Sequence, residues 1–229
     1  MTTASLRPAR SATALRRAFT LVELMIVVSI IGIIALLVAP NMAEMIGMQR
    51  LRSINDQLIT DMQALRSESV SRNQIMGFLA RNTAGEPMTC YSIISGTSNT
   101  LSLPNIGGID KDQCNCTNAV GSVCTGTQRE LRTVQLPRDS NIQFTFHPDQ
   151  RGFVVLSPIA SEIVIADPNT AVFQDVEFCV EVRRTPRGRL RTTLGAAGRV
   201  SQCSPDGSVP GVALCPAYDV NLGNCKAVP

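Results

Sequence analysis

Glu23 stands almost alone in an oily run. From Phe19 to Ala39 there are 21 residues, and Glu23 carries the only charge. A carboxylate at the centre of a bilayer costs about 2.5–3.5 kcal/mol on insertion scales, so it needs water or a partner. Two readings follow. Glu23 is interfacial and stays wet among the headgroups, or it meets a positive group inside the apolar layer. A new α-amine at Phe19, freed by cleavage behind Ala18, would serve as that group. A carboxylate also suits a helix start, where free N–H groups point outward.

A second group of residues is suited to anions. Between Val182 and Val200 lie Arg183, Arg184, Arg187, Arg189, Arg191 and Arg199, with no acid among them. On a strand, Arg189 and Arg191 would project to one face. Guanidinium groups so placed can hold phosphates, in binding that is salt-sensitive and largely indifferent to base sequence. The competing readings are a solvated arginine-rich hairpin and a surface for acidic neighbours. A general bias also favours arginine here, since Lys111 and Lys226 are the only lysines.

The cysteines are Cys90, Cys114, Cys116, Cys124, Cys179, Cys203, Cys215 and Cys225, all beyond the apolar run. An even count on one side of an anchor implies an oxidising compartment and disulfides. The expected pairs are Cys215 with Cys225, which closes a short terminal loop, and Cys179 with Cys203. Cys114, Cys116 and Cys124 make a poor metal set, having neither C-x-x-C spacing nor a nearby histidine. No metal and no cofactor is expected. Nor is an enzyme: His147, the only histidine, precedes Pro148 in an expected turn. P-loop and G-x-S-x-G patterns are absent. Asp110 and Asp112 fall in a polar loop.

The elements that position these residues read as follows. Residues 1–18 are a basic leader, with Arg7, Arg10, Arg16 and Arg17 and no acid. Their four positive charges account for the net charge of +3, and the remainder is near neutral. Residues 19–39 would span about 31 Å as a helix, the thickness of a hydrocarbon core. The leading arginines place the start in the cytoplasm and the rest outside. The run is too long for a conventional cleaved signal, and Leu37-Val38-Ala39-Pro40 is a poor cleavage site.

Residues 40–74 continue as an amphipathic helix. Its apolar stripe is Leu51, Ile54, Leu58, Met62 and Leu65; Arg52, Asn55, Asp56, Asp61 and Arg66 suit a wet face. Pro40 should kink or locally unwind it. Residues 75–229 read as a β-rich domain of nine short runs: 75–79, 89–94, 133–136, 142–146, 152–156, 162–165, 176–182, 189–194 and 199–203. Gly, Pro, Asn and Asp punctuate them. A disulfide-tied loop is expected at 96–126 and a Pro/Gly-rich flap at 204–229. The fold class is α+β, a long N-terminal helix packed on an antiparallel β-sheet domain.

Ala18-Phe19-Thr20-Leu21-Val22-Glu23, followed by the apolar run and Pro40, resembles the class III signal of type IV pilins and type II secretion pseudopilins. The resemblance implies cleavage between Ala18 and Phe19 by a prepilin peptidase, with N-methylation of Phe19. It makes Glu23 the residue that pairs with a neighbouring subunit's N-terminus during filament assembly. Where the family usually has Gly before the cut, this chain has Ala18. Leu65–Gln74, Arg132–Pro137 and Gly198-Arg199-Val200 are similar to the GspH/FimT group of minor pseudopilins and minor pilins. Gly188-Arg189-Leu190-Arg191 matches literally the G-R-x-R element that contacts DNA in FimT proteins. By position the element aligns instead with Gly198-Arg199-Val200-Ser201.

The resemblance implies a subunit of a type II secretion system or type IV pilus, single-pass in the cell inner membrane, with a periplasmic domain extracted into a filament. Its partners would be other pilin or pseudopilin subunits, the prepilin peptidase, the inner-membrane assembly platform, and membrane lipid through residues 19–39. Duplex DNA is the alternative ligand of the arginine region. A membrane-tethered periplasmic binding module that never polymerises is the reading from a different class.

Overall fold

The computed structural model describes residues 20–97, 109, 113–147, 153–158, 163–164, 178–195 and 198–216. The chain forms two compact units, Met1–Met45 and Ile46–Pro229. The helix α1 runs Leu21–Arg72. Thr20 caps its start, accepting the Glu23 N–H on Oγ1 at 3.2 Å. Thr20-Leu21-Val22-Glu23 therefore has the spacing of a capping box. In the first unit every described side chain from Leu21 to Leu37 is exposed. Ser29 satisfies its hydroxyl on the Met25 carbonyl at 2.8 Å, so this apolar surface presents no unpaired hydroxyl there.

Among the described residues no single straight helix is long and apolar enough to cross a membrane; Leu21–Leu37 and Met42–Arg72 meet that test together, as a bent pair. The break falls within residues 38–41, and the backbone remains helical through it rather than unwinding. At the other end Asn73 takes the left-handed conformation, φ 49°. The Gln74 N–H then bonds the Ser69 carbonyl at 3.2 Å, which stops the helix.

In the second unit all nine expected strands form: β1 (Met76–Arg81), β2 (Met88–Ser95), β3 (Arg129–Pro137), β4 (Ile142–His147), β5 (Phe153–Leu156), β6 (Ile163–Val164), β7 (Phe178–Arg184), β8 (Arg189–Leu194) and β9 (Val200–Cys203). They divide into two antiparallel sheets, of order β3-β2-β1-β5-β6 and β4-β7-β8-β9. The helix is packed on the sheets, with Leu51, Leu58, Met62 and Leu65 in one core with Phe78, Tyr91, Phe144, Phe178 and Leu190. His147 ends β4 opposite Cys179, so it belongs to a strand rather than to the expected turn.

The buried helical face differs from the expected stripe. Asn55 and Asp61 are buried, not wet. Leu51, Asn55, Leu58, Met62, Leu65 and Ser69 form the continuous inner row, at alternating steps of four and three residues. Thr192 of β8 donates to Asn55 Oδ1 at 2.9 Å. Tyr91 of β2 donates to Asp61 Oδ2 at 2.7 Å, and Arg132 Nε of β3 lies 3.0 Å from the same oxygen. The helix thus joins both sheets through polar partners, which hydropathy spacing alone does not reveal. Burial pushes the Asp61 carboxyl up, against the lowering effect of the Tyr91 hydrogen bond and the Arg132 charge. Burial and then the Asp61 carboxylate push the Tyr91 phenol well above its usual range, so it stays a donor.

The loop side of the first sheet carries a smaller core of Ile75, Leu79, Ile94, Ile109, Cys114, Val123 and Val155. Within the described residues, 113–126 is docked rather than loose. Gln135 of β3 donates to the carbonyls of Cys116 at 2.8 Å and Asn118 at 2.6 Å. Among the described residues Cys90 is bridged to Cys116, Cys114 to Cys124 and Cys203 to Cys215. Both expected pairs are therefore corrected. Cys179 and Cys203 lie on strands separated by β8, about 9–10 Å apart at two strand spacings, beyond the reach of a bridge. Cys215 is instead brought to Cys203 by the parallel bridge between Ser204 and Leu214. Cys179 is itself disulfide-bonded; Cys225 lies outside the described residues.

Candidate functional sites: the helix start and the arginine strand

Glu23 lies in the first unit, and the arginine strand in the second. Glu23 sits in the first turn of α1. It is exposed, and among the described residues no cation pairs with it. Ala18 and Phe19, the expected cleavage and methylation positions, lie outside the described residues.

The arginine strand is built differently from a plain basic surface. The window from Val182 to Val200 holds no acid, but Glu181 lies one residue before it. Glu181 is directly opposite Arg191 across the β7–β8 pair. Arg191 donates to Glu181 Oε1 from Nε at 3.0 Å and from Nη2 at 2.5 Å. Arg189 donates from Nη2 to Oε2 at 2.6 Å. Arg189 and Arg191 do project together, as alternation requires, but onto a carboxylate. Glu181 is 2% exposed and Arg191 4%. Burial would raise the Glu181 carboxyl; the hydrogen bonds and charges of Arg191 and Arg189 outweigh it and hold the carboxyl below its ordinary value.

Both glycines of the G-R sequences have structural work on the helix. Gly188 adopts φ +118°, and a Cβ there would stand 2.8 Å from Leu51 Cδ2 and 3.1 Å from Met48 Sδ. Gly198, at φ +69°, faces the Arg66 side chain, where a Cβ would lie 2.8 Å from Nε. Arg66 also donates to the Gly198 carbonyl at 3.2 Å. A side chain at either position would strain the backbone and press on α1. Arg184 turns inward over Gly47 and donates to the Arg187 carbonyl at 3.2 Å. Arg183, Arg187 and Arg199 remain exposed, and no carboxylate among the described residues pairs with them.

The segment 204–216 braces this strand. Ser208 Oγ accepts the Arg189 N–H at 3.1 Å, and Ser204 Oγ donates to the Arg189 carbonyl at 3.0 Å. Val209 is buried in the main core, and the Arg52 guanidinium donates to the Pro210 carbonyl. The expected flap is thus, over its described part, a disulfide-closed clasp between α1 and β8. Sequence reasoning missed Glu181, Asn55, Asp61 and the clasp; the pairing of Glu181 with Arg191 needed a strand register to be seen.

Comparison with known proteins bears on the helix start. Residues 14–39 match the family model of the prokaryotic N-terminal methylation motif. The motif spans the leader's last arginines, the expected cut and the apolar run through Ala39. No curated protein sequence matches the chain. Among solved structures, the chain is similar to the type IV minor pilin FimU of Pseudomonas aeruginosa in two crystal forms. One has 17% identity and a TM-score of 0.41, covering 72% of this chain and 95% of that one. The other has 16% identity and a TM-score of 0.39, covering 70% and 98%.

Proposed function

We propose that the chain is a pilin-like subunit of an envelope filament. The methylation motif over residues 14–39 carries this reading, with Glu23 in the first turn of an exposed apolar helix. A peptidase removes residues 1–18 and leaves Phe19 as a methylated amino terminus. The apolar helix holds the chain in the inner membrane until assembly. In the filament, Glu23 takes the α-amino group of an adjacent copy as its counter-charge. Removal from water strengthens that attraction and penalises every arrangement that leaves either charge alone. The filament belongs to a type II secretion system or a type IV pilus, and the subunit is structural rather than enzymatic.

Glu23→Ala is expected to leave membrane insertion unchanged and to reduce recovery in sheared filaments at least about tenfold, the factor that 1.4 kcal/mol of lost pairing would produce. Fractionation of envelope and filament, with immunodetection, measures this. Undiminished incorporation would remove the assembly role from Glu23.

A second reading rests on Arg183, Arg187 and Arg199, which are exposed and without carboxylate partners among the described residues. They suit the phosphates of duplex DNA. Residues 46–229 are expected to retard duplex DNA at low salt and to release it as salt rises. Arg183→Ala with Arg187→Ala and Arg199→Ala should weaken retardation at least about tenfold. Arg189 and Arg191 are unsuitable for this test, because removing them leaves the buried Glu181 carboxylate without the guanidinium groups that hold it. Absence of retardation at low salt would exclude the DNA reading.

A further inference from the structure

The bridges cross in sequence. Cys90 pairs with Cys116, skipping Cys114, and Cys114 pairs with Cys124, skipping Cys116. Cys203 pairs forward with Cys215, so the bridge of Cys179 is not with the next cysteine along the chain. A chain that joined its cysteines in order of appearance would form Cys90–Cys114, Cys116–Cys124 and Cys179–Cys203. None of the three bridges above would result.

Loop entropy does not correct this. The native bridges close separations of 26 and 10 residues. Exchanging Cys114 for Cys116 alters each separation by only two positions, and closure entropy varies merely with the logarithm of loop length. The choice between Cys114 and Cys116 must come from the fold. The information arrives late. Gln135, which holds the carbonyl of Cys116, and Glu130, which accepts the N–H groups of Gly121 at 2.8 Å and Val123 at 3.3 Å, both follow the four cysteines in the chain. Once folding is complete, Cys90, Cys114 and Cys116 are all fully buried. The contacts that tell Cys114 from Cys116 thus require β3, and any exchange between them requires access before the core closes.

We propose that this chain is a client of a thiol–disulfide isomerase, and that oxidation alone does not bring it to the native bridges. The proposal is independent of filament assembly. The exchange balances without any oxidant or reductant. Starting from Cys90–Cys114 and Cys116–Cys124, the isomerase thiolate attacks Cys114 Sγ, forming a mixed disulfide and releasing the Cys90 thiolate. Cys90 attacks Cys116 Sγ, which forms Cys90–Cys116 and releases the Cys124 thiolate. Cys124 attacks Cys114 Sγ of the mixed disulfide, forming Cys114–Cys124 and returning the isomerase thiolate. Two bridges enter, two leave, and thiolate is conserved at each step.

The test uses the full chain in detergent, reduced and unfolded, then returned to native buffer. One sample receives diamide alone. A second receives diamide, then a reduced disulfide isomerase with reduced glutathione. Stepwise reduction with differential alkylation, read by fragmentation mass spectrometry, gives the connectivity of Cys90, Cys114, Cys116 and Cys124. With diamide alone, among chains in which these four cysteines pair only with one another, about one-third should carry the native pairing, since four cysteines allow three connectivities. The isomerase should raise that fraction about threefold. Native pairing in nearly all chains with diamide alone would overturn the proposal. The double variant Cys90→Ser/Cys116→Ser removes the crossing and should form Cys114–Cys124 equally well with or without isomerase. A persistent isomerase requirement in that variant would overturn the crossing as its cause.

Discussion

Glu181→Ala is expected to destabilise residues 46–229 by about 3–5 kcal/mol, because it removes the buried carboxylate that Arg189 and Arg191 share. Arg191 of β8 then has no carboxylate opposite it on β7, although it is buried. Domains of this kind have total stabilities of about 5–15 kcal/mol, so a loss of that size threatens folding itself. Arg191→Met should cost less, since Arg189 keeps its own contact with Glu181. Urea unfolding of the oxidised domain measures both, with a shifted midpoint at unchanged slope as the expected form.

The same cluster sets an acid response. The folded Glu181 carboxyl lies below its ordinary 4.5. Its contribution is therefore complete above the unfolded value and is lost as pH falls through the folded one. Asp61 has the opposite sign. Its folded value is raised above 3.8, so its burial penalty is relieved as pH falls from the folded value toward the unfolded one. The gap between wild type and Glu181→Ala should narrow as pH falls below the ordinary value of 4.5, where the carboxyl of the unfolded chain protonates first, and should close as the folded carboxyl protonates in turn. A gap that stays constant into acid would contradict the ion-pair account.

Phe78→Ala is the second large effect, expected at about 3–5 kcal/mol for a buried phenylalanine. Phe78 of β1 stacks on Tyr91 with centroids 5.2 Å apart, and meets Phe178 of β7 edge-on at 5.5 Å. Tyr91 in turn meets Phe144 of β4 edge-on at 5.2 Å. These contacts join one sheet to the other, so the loss should exceed that at an aliphatic site of similar burial such as Ile94. A double-mutant cycle with Phe178→Leu should give a coupling of about 0.5–1.5 kcal/mol, the range of an aromatic pair. Zero coupling would mean that the sheets are not joined through this pair.

Much of this architecture was legible in the residues. Strand positions followed from short β-branched and aromatic runs between Gly, Pro and Asn; β8 has the expected bounds, and others differ by one to four residues at an end. The helix end at Asn73 followed from the change of period there. What could not be read were choices made between distant segments. Asn55 and Asp61 look like solvent-facing residues until Thr192, Tyr91 and Arg132 are placed beside them. Glu181 escapes notice because opposition across strands, not nearness in sequence, pairs it with Arg191. Disulfide partners depend on which Cα atoms approach, and Cys114 and Cys116 are chemically identical until β3 separates them. The division into two sheets, rather than one, likewise depends on pairings that no single run encodes.

We propose that residues 1–18 are removed and that Phe19 becomes the amino end which neutralises Glu23 of an adjacent copy. Intact mass spectrometry of the protein recovered from the cell envelope reads that amino end. The expected species begins at a mono-methylated Phe19, with the disulfides oxidised. A mature protein that still carries Met1–Ala18 would contradict the claim.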